Sequence, residues 1–204
     1  MKNMRLTTIA GFVLALLTPP AAAAGDFEDG QKFFAHKDYA RAVESLTKAA
    51  EQGNIKAQLQ LGIRYFIGLA VTQDYQLAVY WYLKAAEQGS ASAQLQLGGM
   101  YDDGVGITQD YQQALIWYLK AAEQGNAVGQ IKLGNMYTHG KGVMQDYIEA
   151  HKWFSIADAS GHAGGSKNRS LVEKHMTPAQ INEAKQRVSE WTAEHSPALP
   201  KVAE

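Results

Sequence analysis

Few side chains in this 204-residue sequence stand at spacings that chemistry requires. Asp102, Asp103 and His139 offer oxygen and nitrogen donors in equivalent stretches of sequence, and three such donors could converge on a cation. They lack the i, i+4 helical spacing that makes a ligand set specific, so they read as a solvated or partner-facing surface. Gly104-Val105-Gly106 and Gly140-Lys141-Gly142 have the glycine density of a phosphate cradle. Such a cradle follows a strand, whereas these follow a helical pattern, so they read as turns. The six histidines (His36, His139, His151, His162, His175, His195) show no ligand spacing, and no H-E-x-x-H, P-loop or nucleophile elbow is present. With no cysteine, a thiolate metal site, a cysteine nucleophile and a disulfide framework all drop out. Trp81, Trp117 and Trp153 could form a stacking platform for sugars or bases, but beside paired alanines at helical spacing they read as core. A net charge of −1 gives nucleic acid no basic surface to bind. The expectation is a protein without catalytic residues, cofactor or metal, whose work is binding another protein or peptide.

The elements that must present such a surface are repeated. Asp-Tyr occurs at 38, 74, 110 and 146, each 36 residues after the last. Leu61-Gly62, Leu97-Gly98 and Leu133-Gly134 keep the same step, as do Trp81, Trp117 and Trp153. Residues 72–107 and 108–143 agree at 23 of 36 positions, far beyond coincidence, so one structural unit is repeated. Each unit reads as two helices. Ala57, Leu61 and Tyr65 form one stripe of a helix predicted over Ile55 to Ile67. Tyr75, Ala78, Trp81, Tyr82 and Ala85 form the stripe of a second, predicted to run to Gln88. Asp74 is placed to N-cap the second helix, and Gly89 suits the left-handed residue after it. Gly62, Gly98 and Gly134 lie inside helices at a cost of about 0.5–1 kcal/mol each, so their recurrence predicts close packing of the partner helix. No unit buries its apolar face alone, whereas stacked units do. The fold class predicted is all-α, a right-handed α-solenoid of stacked antiparallel helix pairs.

The ends depart from the pattern. Lys2 and Arg5, the apolar run Leu6 to Leu17, and Ala22-Ala23-Ala24 form the three parts of a secretory signal peptide. The apolar run is shorter than the roughly 20 residues of a membrane span. Residues 1–24 are therefore expected to be removed, leaving no stable span and a periplasmic or secreted bacterial protein. After Gly161 a helix is predicted from Ser166 to His175. Thr177-Pro178-Ala179-Gln180 then reads as a capping box opening a last helix with Ile181, Ala184, Val188 and Trp191 on one stripe. These elements, 163–195, are expected to cap the solenoid, and 196–204 to be a flexible tail.

Ala93-Leu97-Gly98-Tyr101, Gly104-Val105-Gly106 and Ala114-Trp117-Tyr118-Lys120-Ala121-Ala122-Gly125 resemble the unit of the Sel1-like repeat family, relatives of the tetratricopeptide repeats. The resemblance is close over 53–162, while 25–52 look more like a plain tetratricopeptide helix pair. Ala70 departs from it where the loop has a second glycine, Gly129 where it has alanine, and Phe154 where it has tyrosine. The family is associated with adaptor and scaffold roles, which implies binding without naming a ligand. Some exported relatives carry a cysteine pair in each repeat; this chain has none.

In such solenoids the first helices line a concave face. The positions pointing away from the core stripe are Ile63, Phe66 and Ile67, then Gly99, Asp102 and Asp103, then Asn135, Thr138 and His139. Gln31 and Phe34 extend the series into the first pair. The predicted groove runs from apolar through acidic to polar. It would take a peptide or helix, with Asp102 and Asp103 selecting a basic group. Two other readings stay open. A cell-envelope protein binding glycan or peptidoglycan fragments requires Phe34, Tyr65 and Phe66 to be exposed, and a hydrolase would use Asp103 or His139.

Overall fold

The computed structural model describes residues 21–195, and all of their regular structure is helical. Ten α-helices follow in order: α1 (Ala21–Ala35), α2 (Tyr39–Glu51), α3 (Ile55–Ile67), α4 (Tyr75–Glu87), α5 (Ala91–Asp103), α6 (Tyr111–Glu123), α7 (Ala127–His139), α8 (Tyr147–Ala159), α9 (Ala163–Val172) and α10 (Pro178–His195). A 3-10 turn, Glu173–His175, links the last two. The helices pack in pairs, α1 on α2, α3 on α4, α5 on α6 and α7 on α8, and each pair stacks on the next through α2–α3, α4–α5 and α6–α7. The export signal expected over 1–24 falls mostly outside the described residues. Its last four residues are the first turn of α1, where the Ala23 carbonyl accepts from Asn54 Nδ2 at 3.2 Å.

The local signals act as their chemistry predicts. Asp74 Oδ1 accepts from the N–H groups of Gln76 (2.9 Å) and Leu77 (3.0 Å), and Asp110 and Asp146 do the same for α6 and α8. A Cβ on Gly62 would stand 2.5 Å from Tyr82 Cδ1, and one on Gly98 2.6 Å from Tyr118 Cδ1. The close approach is therefore that of an aromatic ring laid on the bare backbone of its partner helix. Gly134 receives Phe154 in the same way. Trp81, Trp117 and Trp153 are buried, as the core reading requires.

The seam between units carries a ladder that apolar periodicity does not reveal. Buried Gln58, Gln94 and Gln130 each donate through Nε2 to the carbonyl of Ala50, Ala86 or Ala122 in the preceding unit. Gln88 and Gln124 then donate to the side-chain oxygens of Gln58 and Gln94 at 2.7 Å. The third rung lacks its donor. Position 160 is Ser160 where the repeat has Gln88 and Gln124, and Gln130 Oε1 is buried without a partner among the described residues.

Two departures from expectation occur at the C-terminal end. The helix predicted from Ser166 begins at Ala163, capped by His162 Nδ1 accepting from Gly164 N at 3.2 Å, and gives way to the 3-10 turn after Val172. Gly165, ahead of the predicted start, lets α9 press onto α8, where a Cβ would stand 2.6 Å from the Phe154 carbonyl oxygen. α10 opens with the predicted box: Thr177 N donates to Gln180 Oε1 (2.8 Å) and Gln180 N to Thr177 Oγ1 (3.3 Å). It then packs along α8 rather than pairing with α9.

Candidate functional site

The first helices α3, α5 and α7 line one face, and two cavities open there. The first, of about 260 Å³, is walled by Phe66, Leu95, Met100, Val105 and Val128, with Asp103 and Lys132 among its polar lining. Its origin is a small residue. Gly99 stands where the neighbouring units have Ile63 and Asn135, and a Cβ there would lie 3.6 Å from the hydroxyl oxygen of Tyr118. Tyr118 is a core residue, fully buried, yet its hydroxyl has no hydrogen-bond partner among the described residues. Burial first, then the charges of Asp102 and Asp103, hold this phenol well above its usual range, so it stays protonated behind the cavity wall.

The second cavity, of about 370 Å³, is lined by Asp102, Lys132, Asn135, Met136, His139 and Lys141. Asp102 Oδ1 is buried and lies 3.6 Å from Lys141 Nζ, too far for a hydrogen bond. Lys141 in turn sits 5.0 Å from the centre of the Tyr111 ring. Lys132 borders both cavities and its ammonium lies 5.8 Å from the Tyr118 ring. The middle of the face is thus mixed in charge, two lysines standing beside the two aspartates.

The nine residues singled out in the sequence divide between these places and others. Phe66 and Asp103 meet in the first cavity, and Asp102, Asn135 and His139 in the second. Thr138 and His139 are each tied to their own helix, Thr138 Oγ1 donating to Gly134 O (2.7 Å) and His139 Nδ1 lying 2.8 Å from Asn135 O. Ile63 and Ile67 are exposed but line neither cavity. Phe34 is half-buried beneath the Arg64 guanidinium at 3.9 Å. Phe66 is also half-buried, edge-on to Tyr75 at 5.5 Å, and so is Tyr65. None of the three is fully exposed, as a sugar-stacking platform would require. Gly99, Tyr118, Lys132 and Lys141 complete the site, and of these only the gap at Gly99 is visible as a break in the repeat.

A third cavity, of about 570 Å³, lies between α8, α9 and α10. It holds a serine–histidine–acid contact: Ser155 Oγ is 3.3 Å from His151 Nδ1, and His151 Nε2 is 2.9 Å from Glu173 Oε1. Burial lowers the pKa of His151, opposed by Glu173. Ser155 Oγ donates to its own helix at His151 O (2.8 Å), and backbone N–H groups in mid-helix are consumed by the helix. The serine proton is thus committed to its own helix, and His151 ties α8 to the turn Glu173–His175. Among the described residues no group of three or more His, Asp or Glu side chains is placed to hold a metal ion. Asp103 faces one cavity while Asp102 and His139 face the other. No described helix is long and apolar enough to cross a membrane.

The Sel1 repeat model matches residues 27–54, 55–90, 91–126 and 127–162. The fold is similar to that of a protective antigen present in uropathogenic Escherichia coli strains that displays an SLR fold, with a TM-score of 0.75 and 31% identity over 89% of this chain. This chain spans only 42% of that protein. A Sel1 repeat protein from Oxalobacter formigenes is similar at a TM-score of 0.68 and 33% identity, over 83% of this chain and 69% of the other. Helicobacter pylori cysteine rich protein B is similar at a TM-score of 0.51 and 26% identity, over 64% of this chain and 94% of that one. No curated protein matches in sequence.

Proposed function

This chain belongs to the Sel1 repeat family, and on that premise we propose that it is an exported interaction scaffold that docks a peptide or helix of another protein on the face of α3, α5 and α7. The observation that carries this reading is the cavity Gly99 opens over the unpartnered Tyr118 hydroxyl. The repeat spends a side chain there and receives no packing in return. An apolar side chain of the partner fills the space between Phe66, Met100 and Val128. Asp103 and Lys132 at the first cavity, and Asp102 and Lys141 at the second, set the register by charge.

The test is a crosslinking pulldown from the envelope fraction of the source cells, comparing the unaltered chain with Gly99→Ile and with Phe66→Ala/Asp102→Ala. A protein captured by the first and lost from both variants supports the groove. Capture that neither variant changes removes the groove from the proposal. Export is tested on the same material by its N-terminal sequence, which begins at Gly25 if the signal is cleaved and at Met1 if it is not.

A further inference from the structure

Glu149, Lys152, Trp153 and Ile156 lie at i, i+3, i+4 and i+7 of α8 and form one stripe. α10 covers it. Arg187 Nη1 donates to Glu149 Oε1 at 2.5 Å, Val188 and Trp191 pack against the cluster holding Trp153 and Ile156, and the two tryptophan rings meet edge-on at 6.1 Å. The same stripe is Arg41, Glu44, Ser45 and Lys48 in α2, Leu77, Tyr80, Trp81 and Lys84 in α4, and Gln113, Ile116, Trp117 and Lys120 in α6. α10 packs on α8 and makes no comparable contact with these three, although Trp81 and Trp117 are buried in the seams between units.

A bare stripe in water is expected to be polar, and in α2 it is. The last position shows the rule: Lys48, Lys84 and Lys120 are exposed, whereas Ile156, under α10, is 4% exposed. α4 and α6 break the rule elsewhere. Leu77, Tyr80 and Ile116 are 39%, 48% and 43% exposed, with Leu119 exposed beside them. Around the buried Trp81 and Trp117, these four side chains leave apolar surface open where a bare helix is expected to be polar.

We propose that the α4–α6 stripe is a second docking face, and that its occupant is an acidic amphipathic helix of a partner protein lying there as α10 lies on α8. The seating on α8 shows that a helix fits this register. The chemistry of the ends sets the charge. α10 brings Arg187 to the acidic Glu149, but neither the α4 nor the α6 stripe has an acid. They have Lys84 and Lys120, whose ammonium groups lie 5.7 Å from the Tyr80 ring and 4.2 Å from the Trp117 ring and make no salt bridge among the described residues. A helix settling there must bring carboxylates. A second copy presenting the same stripe would set lysine against lysine, which disfavours it. This face belongs to the second helices of the units, so it does not depend on the groove of α3, α5 and α7.

The experiment titrates the full chain with a labelled peptide of residues 176–195 carrying Lys185→Glu and Arg187→Glu, read by fluorescence anisotropy. Saturable binding is expected, weakened at least tenfold by Tyr80→Glu/Ile116→Glu and by Lys84→Glu/Lys120→Glu. All four positions are at the surface, and thermal melts check that each variant keeps its fold. Absence of binding, or binding that these substitutions leave unchanged, overturns the proposal. So does self-association that Tyr80→Glu/Ile116→Glu abolishes, because the occupant would then be a second copy.

Discussion

Gly98 and Gly99 sit side by side in α5 and belong to two different regions of the molecule. Gly98 faces the interior, where the Tyr118 ring occupies the place of its missing Cβ, and Gly62 and Gly134 repeat that arrangement one unit away on either side. Gly99 faces the groove, where its missing side chain leaves a void, and the units on either side have Ile63 and Asn135 instead. The interior is uniform because each unit must offer its neighbour the same surface. The groove face carries no such constraint, so residue choice there is open to a ligand. Four substitutions bear on this contrast between interior and groove.

Gly98→Ala should have the largest effect. The added methyl collides with a ring that is itself fully buried, and overpacking of this kind costs about 1–3 kcal/mol. Denaturant unfolding should show the midpoint falling with little change in slope. A melt unchanged by Gly98→Ala would break the contrast, because the interior glycine would then be as free as the groove glycine.

Arg64→Met tests the interior from the other side. Arg64 is 7% exposed at the position where the next two units bury Met100 and Met136. Two of its guanidinium nitrogens have no partner among the described residues; the third donates to Gln60 Oε1 at 3.1 Å. Desolvation lowers its pKa accordingly. Replacing an imperfectly satisfied buried cation with the residue the repeat prefers should stabilise by about 1–2 kcal/mol, after the contact with Phe34 is lost. A destabilised variant would mean that Arg64 serves the N-terminal pair in a way Met100 and Met136 do not.

Ser160→Gln should restore the third rung of the glutamine ladder by giving Gln130 Oε1 a donor, a gain of about 1 kcal/mol in thermal or chemical unfolding. Combined with Gln130→Ala, the gain should vanish, which ties it to that one hydrogen bond rather than to helix propensity.

What the sequence reveals follows the same division. α3 runs from Ile55 to Ile67 and α4 begins at Tyr75, as predicted, because apolar period, aspartate caps and glycine stops all agree there. Legibility fails where one residue type has two uses. Glycine stops α3 and α5 at Gly68 and Gly104, whereas Gly165 is a packing contact inside α9. Tyr118 is correctly a core residue, but its buried hydroxyl lies beneath the bare backbone of Gly99, and seeing that requires both helices in place. Lys132 and Lys141 enter the site from α7 and a loop outside the stripe used to map the groove. The seat of α10 is hidden for a like reason. Ile156 replacing Lys48, Lys84 and Lys120 announces a cover, but not which helix supplies it.

Gly99→Ala has the smallest expected effect on stability and separates the two regions most cleanly. The position is helical, with no left-handed backbone to lose, and the new Cβ would make an ordinary 3.6 Å contact with the Tyr118 hydroxyl oxygen. Alanine should therefore raise stability by about 0.5–1 kcal/mol through helix propensity, the reverse of its effect one residue earlier. The same methyl begins to fill the cavity, so partner binding should weaken while the melt improves, and Gly99→Ile should weaken it further. A glycine kept where alanine is more stable is explained by the space it leaves. If Gly99→Ala raised stability and left binding of the captured partner intact, that space would have no use, and the contrast between the two glycines would be one of packing alone.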